Sequence, residues 1–155
     1  AQYHSDLLDM CAKNPYMNPG SLVIDGVPID LSRVEIDAFV TAGITDHITP
    51  WRGCYGTARM FGPGSTFVLA NAGHLQSLIN PPGGSKSFYF TGPASEADPL
   101  AWAKKMEGDR REGSWWPLWR EWMQARSGEL VPAPEKLGSA KYKPVCAAPG
   151  QYVLD

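Results

Sequence analysis

Cysteine is scarce: Cys11, Cys54 and Cys146 are the three in 155 residues, and they lie far apart. Three thiols cannot all pair within one chain. None forms a C-x-x-C pair, so neither a zinc site nor a redox motif is signalled. This usage fits a reducing cytoplasm. An excess of one charge is also missing. Lys and Arg total 14 against 16 Asp and Glu, for a net charge of −2, and no basic stripe is present. Nucleic-acid binding is therefore not expected. No apolar run approaches the roughly 20 residues of a membrane helix. The stretch from Ala1 to Met10 has no basic region followed by an apolar core, so a secretory signal is not expected there. It also has no initiator Met, and the chain is read as an excised fragment or a processed product.

What is present points to a packed domain. Hydrophobic residues make up 43%, aromatics 11% and charged residues 19%, which excludes a wholly disordered chain. The length is that of one ordinary domain with a core of its own. Sixteen Gly, 14 Pro and 6 Trp together imply loop-rich structure around aromatic clusters.

The chain reads in two parts, 1–92 and 93–155. In the first, Leu22 to Ile29 is a short strand or hairpin turning at Asp25-Gly26. Ile36 to Ala42 is an apolar run ending at Gly43, as in a buried parallel strand. Thr49-Pro50 is a helix start, with Thr as N-cap and Pro at the first helical position. Trp51, Cys54, Tyr55, Ala58 and Phe61 follow at helical spacing, and Gly62 ends the helix. Thr66 to Ala70 is a second apolar strand. Strand, helix, strand at this length is a βαβ unit with parallel strands. In the second part, Asp98 to Glu107 is a weaker helix. Ser114 to Ser127 is a stronger one, capped by Ser114 and ended by Gly128, with Trp115, Trp119 and Trp122 on one face. From Gly128 the chain is rich in Pro, Gly, Ala and Lys, and reads as an extended tail draped on the body or partly disordered.

The chemistry falls at two strand ends. Asp46 follows the first strand, in Gly43-Ile44-Thr45-Asp46-His47-Ile48-Thr49-Pro50-Trp51. His74 follows the second, in Asn71-Ala72-Gly73-His74-Leu75-Gln76-Ser77. Ligands of open α/β sheets bind beyond the carboxyl ends of the strands, so neighbouring strands would bring the two together. A carboxylate that orients an imidazole base is two-thirds of a nucleophilic triad, and acid before His is the α/β-hydrolase order. The same residues have a bland reading, in which Asp46 caps a turn and His74 caps a following helix. His47 reads as a loop-stabilising residue, and Trp51 as core or tunnel wall. The Trp stripe reads as packing against the body. Asn80-Pro81-Pro82-Gly83 and Gly62-Pro63-Gly64 read as chain reversals.

Three runs carry a resemblance: Gly-Ile-Thr-Asp-His-Ile-Thr-Pro-Trp (43–51), Gly-His-Leu-Gln-Ser-Leu-Ile-Asn-Pro-Pro (73–82) and Ser-Trp-Trp (114–116). With Asn18-Pro19-Gly20 and Gly26-Val27-Pro28-Ile29-Asp30-Leu31, they strongly resemble the C-terminal part of polyhydroxyalkanoate synthases, over nearly the whole chain. The resemblance implies the C-terminal portion of an α/β-hydrolase fold, with a Trp-rich helix and an extended tail. It implies an acyltransferase that polymerises (R)-3-hydroxyacyl-CoA into polyester and releases CoA through a Cys-His-Asp triad. Asp46 and His74 would be the catalytic Asp and His. Asp46 would hold the imidazole tautomer or assist the incoming hydroxyl. No cofactor or metal is implied beyond the CoA thioester substrate. The partners implied are the growing polyester, the N-terminal part of the synthase, a second copy of the chain and the surface of cytoplasmic granules.

The family's nucleophile lies in an upstream Gly-x-Cys-x-Gly elbow. Arg52-Gly53-Cys54-Tyr55-Gly56 departs from that pattern at Arg52 and comes after the Asp. Cys54 therefore reads as a buried small hydrophobe, and neither Cys11 nor Cys146 as a nucleophile. The chain alone is expected to be inactive. Two other readings stand beside this one: a free-standing, non-catalytic module that binds granules or partner chains, and a stand-alone hydrolase or depolymerase. An incomplete sheet would leave its first strand with an open edge, so the isolated chain is expected to be partly molten, self-associating or dimeric.

Overall fold

A computed structural model describes residues 2–84 and 86–154. Two compact units divide it, Ala1–Met123 and Gln124–Asp155. The first is an α/β unit. It opens with helix α1 (Gln2–Lys13) and a hairpin of β1 (Leu22–Ile24) and β2 (Val27–Ile29). Asp25 and Gly26 both take positive φ, which is the two-residue turn that the Asp-Gly pair predicts.

A four-stranded sheet follows in the order β3-β4-β5-β6: β3 (Phe39–Gly43), β4 (Thr66–Ala70), β5 (Phe88–Pro93) and β6 (Arg111–Glu112). β3 and β4 are parallel, in register from Phe39 opposite Thr66 to Gly43 opposite Ala70. Helix α2 (Trp51–Met60) makes the crossover, as the βαβ pattern predicts. β5 and β6 run antiparallel, so the sheet is mixed. The sequence reading passed over β5, although Phe-Tyr-Phe-Thr is a β-favouring run. The boundary drawn from composition at 92/93 lies within it.

The expected strand start at Ile36 moves to Phe39. Pairing begins where Phe39 meets Thr66, and Ile36 lies outside the ladder, 75% exposed. Among the described residues β3 pairs with no second strand, so its outer edge is open.

Both faces of the sheet are covered. On one, Phe67 and Leu69 of β4 meet Tyr55 and Ala58 of α2 and Trp102 of α3 (Pro99–Met106). The rings of Tyr55, Phe67 and Trp102 pack mutually at 5.1 to 5.5 Å, each pair contributing about 0.5–1.5 kcal/mol beyond burial. Their polar atoms are also satisfied. Trp102 Nε1 donates to Pro93 O and Tyr55 OH to Glu96 O, both at 2.9 Å. On the other face, Val68 and Ala70 meet Tyr89, Trp115 and Leu118. A central strand buried on both sides explains why Thr66-Phe67-Val68-Leu69-Ala70 is a continuous apolar run rather than an alternating one.

Helix α4 (Trp116–Gln124) is shorter than the 114–127 expected. Trp115 holds its N-cap position, its O accepting from Trp119 N at 3.1 Å, and Ser114, expected there, stands one residue earlier with its Oγ accepting from Trp116 N at 3.0 Å. Trp115 and Trp122 both pack on Phe39, with centroids at 6.0 and 5.6 Å, whereas Trp119 touches Trp115 and stays largely exposed. The stripe thus packs on β3 at two of its three positions, and Trp115 alone of them is buried.

In the second unit, the described residues past Gln124 form no α-helix or strand, only turns and a short 3₁₀ segment at Tyr152–Leu154. No helix among the described residues is long and apolar enough to cross a membrane.

Candidate functional site

The parallel register builds the site. Beyond Gly43 and Ala70 the two chains keep running side by side. Ile44 N donates to Ala70 O at 2.9 Å and Thr45 N to Ala72 O at 3.3 Å. Gly43 is required here, because a Cβ at this position would collide with Ala72 O and the Ser77 side chain. Asp46 and His74 therefore leave adjacent strand ends and meet, with His74 Nδ1 2.9 Å from Asp46 Oδ2.

Asp46 is held from four directions. Oδ1 accepts from Ile48 N and Thr49 N, each at 2.9 Å. Oδ2 accepts from Thr49 Oγ1 at 2.7 Å and faces His74. Burial acts to raise this carboxyl's pKa. The bonds from Thr49, His74 and Ile48 outweigh it and hold the group well below the usual carboxylate range. An ionised partner makes Nδ1 the protonated nitrogen of His74 and leaves Nε2 with the lone pair. The Asp46 side chain is 5% exposed and that of His74 37%. The carboxylate is thus sealed behind a ring that still reaches solvent.

Both expectations for Asp46 hold at once: it contacts His74 and it caps a turn, the Asx-turn of 46–49. The helix expected after His74 is absent. Residues 74–78 form turns, closed by Ser77 N to Gly73 O at 2.9 Å. Thr49 is not the helix N-cap. Pro50 occupies that position with no side-chain cap, and the Thr49 hydroxyl turns back to Asp46. The sequence reading missed Thr49 as a site residue. A Thr three positions after an Asp just beyond a strand end was the available signal.

The Ser-Trp-Trp run grips the histidine loop. Ser114 Oγ donates to Asn80 O, Trp115 Nε1 to Ser77 O at 2.7 Å and Trp116 Nε1 to Leu78 O at 2.9 Å. Three consecutive side chains thus bind three carbonyls just beyond His74.

His47 is exposed. Trp51 packs at the margin of the core cluster. Cys54 packs there too. Burial pushes its thiol pKa up, and the Asp46 charge adds to the shift, the reverse of an activated thiolate. Cys11 and Cys146 are exposed. No cluster of three metal-ligating side chains exists among the described residues. A polar recess of about 380 Å³, lined by Thr45, Asn71, Gly73, Gln76 and Lys86 among others, opens beside the pair.

An aspartate–histidine couple at the carboxyl edge of two parallel strands has the geometry that acid–base chemistry on an α/β sheet requires. Comparison with known proteins narrows the class. No protein-family model matches the chain. It is 51% identical over 154 residues to poly(3-hydroxyalkanoate) polymerase 2 of Ectopseudomonas oleovorans, covering 99% of this chain and 27% of that protein. It is 44% identical over 153 residues to poly(3-hydroxyalkanoate) polymerase 1 of the same organism, with the same coverage. To the polymerase subunit PhaC of Cupriavidus necator it is 34% identical over 142 residues, 91% of this chain and 24% of that one. The chain is homologous to a part of the poly(3-hydroxyalkanoate) polymerases, and spans about a quarter of the length of the relatives it matches.

Proposed function

We propose that this chain is the Asp- and His-bearing C-terminal part of a polyhydroxyalkanoate synthase with an α/β-hydrolase catalytic domain. The observation that carries the reading is the 2.9 Å contact between His74 Nδ1 and Asp46 Oδ2 at adjacent parallel strand ends, in a chain 51% identical over 154 residues to part of a poly(3-hydroxyalkanoate) polymerase. The nucleophile is a cysteine supplied by the rest of the synthase. The raised pKa of Cys54 and its place in the core support that assignment over a nucleophile of the chain's own.

In the reaction, His74 Nε2 takes the thiol proton as the thiolate attacks the thioester carbonyl of (R)-3-hydroxyacyl-CoA. The C–S bond to CoA breaks, and the proton passes to the departing CoA thiolate. The acyl group stays on the cysteine. The same nitrogen then accepts the proton of a 3-hydroxyl that attacks the acyl-cysteine carbonyl; the ester bond of the polymer forms, the C–S bond to the cysteine breaks, and the proton passes to the departing cysteine thiolate. Asp46 keeps the proton on Nδ1 and stabilises the imidazolium. Its four donors and depressed pKa support this orienting role over that of a base acting on the hydroxyl.

No cofactor is needed beyond the CoA thioester. The enzyme works with its N-terminal portion, as a homodimer on the surface of cytoplasmic polyester granules, and this chain alone is inactive. The test is CoA release from (R)-3-hydroxybutyryl-CoA by the purified chain, with and without the N-terminal portion. Release only on complementation, abolished by Asp46→Asn and by His74→Gln, is the expected result. Release by the chain alone would refute the reading.

A further inference from the structure

Thr49 is left over from the helix start that the sequence advertises. Pro50 takes the capping position, and the Thr49 hydroxyl points the opposite way, into the acid–histidine couple. Its Oγ1 donates to Asp46 Oδ2 at 2.7 Å and lies 3.4 Å from His74 Nδ1. The second distance is too long to compete with the 2.9 Å contact between Nδ1 and Oδ2. Hydroxyl and imidazole therefore share one carboxylate oxygen.

The other oxygen explains why that sharing matters. Oδ1 is held by the backbone N–H groups of Ile48 and Thr49. Two donors on one oxygen form a pivot, which fixes Oδ1 and lets Oδ2 swing. His74 is the weaker brake, because it meets the carboxylate through one ring nitrogen alone, whereas Thr49, exposed as well, meets it through two donors. Thr49 is the better one. Its N–H and its hydroxyl grip the two carboxylate oxygens from a single residue, which Pro50 and α2 then anchor.

The geometry points to Thr49 as a positioning residue, whose hydroxyl locks the Asp46 carboxylate so that Oδ2 faces His74 Nδ1. This rests on the reading of His74 as the base. One effect works against it. A donor on Oδ2 draws charge from the oxygen that stabilises the imidazolium, so removing the hydroxyl would strengthen that attraction. Orientation dominates, because hydrogen bonds weaken steeply off-axis and a small misplacement of catalytic groups costs up to about a hundredfold in rate.

The test compares Thr49→Val, which keeps size and backbone N–H, with Thr49→Ser, which keeps the hydroxyl, in the full-length synthase carrying this segment. In Thr49→Val, kcat for CoA release is expected to fall about tenfold with KM changed less than about twofold. Thr49→Ser is expected to keep at least about half of kcat. A second readout does not depend on turnover. In protein labelled with 15N-histidine, the downfield Nδ1–H resonance, assigned by its loss in His74→Gln, should broaden or move upfield in Thr49→Val and return in Thr49→Ser. Wild-type kcat and resonance in Thr49→Val would overturn the proposal. So would failure of Thr49→Ser alongside Thr49→Val, which would assign the effect to methyl packing. If turnover survives both Asp46→Asn and His74→Gln, the functional reading falls, and the resonance alone decides whether Thr49 holds the pair.

Discussion

Asp46→Asn exchanges one carboxylate oxygen for an amino group, and the surrounding donors dictate which. Two backbone N–H groups converge on the Oδ1 position, from Ile48 and Thr49. An amino group there would face two donors, so the Asn oxygen takes that place. The amino group then occupies the Oδ2 position, against Thr49 Oγ1 and His74 Nδ1. It can only donate. His74 Nδ1 must therefore accept, the ring proton moves to Nε2, and the nitrogen proposed to act as base loses its lone pair. The fold is untouched, since the substitution is isosteric and the Asx-turn keeps both backbone bonds. What is lost is general-base catalysis, worth about 10²- to 10⁴-fold. Release of CoA by the full-length synthase, followed with a thiol reagent, should fall about a thousandfold in kcat. His74→Gln should cost a similar factor. The double variant should be little worse than either, because the two residues act as a unit. A loss of less than about tenfold in Asp46→Asn, with an unchanged circular dichroism spectrum, would refute the tautomer argument.

Three further expectations follow from the same geometry. Trp115→Phe keeps a ring on Phe39 but leaves the buried Ser77 carbonyl without its indole donor, at a cost of about 1–3 kcal/mol; amide exchange in 74–82 should speed up roughly tenfold by mass spectrometry, and unchanged exchange would remove the clamp. Gly43→Ala drives a methyl into Ala72 O and the Ser77 side chain, so the urea midpoint should drop by the equivalent of about 1–3 kcal/mol, and an unaltered midpoint would show that the strand ends are not closely apposed. Cys54→Ser should leave CoA release intact, and Cys54 should alkylate at neutral pH more slowly than the exposed Cys11 and Cys146, because its thiol pKa is raised by burial; fast alkylation with loss of activity would make Cys54 the nucleophile.

Much of the architecture was legible along the chain. The hairpin turned at Asp25-Gly26, β4 ran over the residues its apolar stretch marked, Asp98 capped its helix, and Ser114 accepted the first N–H of the next. These features depend on neighbours within a few positions, where propensity and capping act. The errors arose where a distant partner decided the outcome. Ile36 has the character of a strand residue but meets no ladder. Thr49 has the character of a cap but finds a better acceptor in Asp46. β5 was lost between loop signals, and its antiparallel pairing with β4 makes the sheet mixed.

For the site the division is similar. Residue order alone placed Asp46 and His74 just beyond two strand ends, because apolar runs and glycines mark where strands stop. That they touch follows from the parallel register of β3 and β4, which the one-dimensional order does not encode. The fourfold grip on Asp46, the turned hydroxyl of Thr49 and the hold of Ser114, Trp115 and Trp116 on the histidine loop are also tertiary facts. Each joins donors and acceptors whose pairing depends on distances of about 3 Å, and packing sets those distances where local propensity cannot.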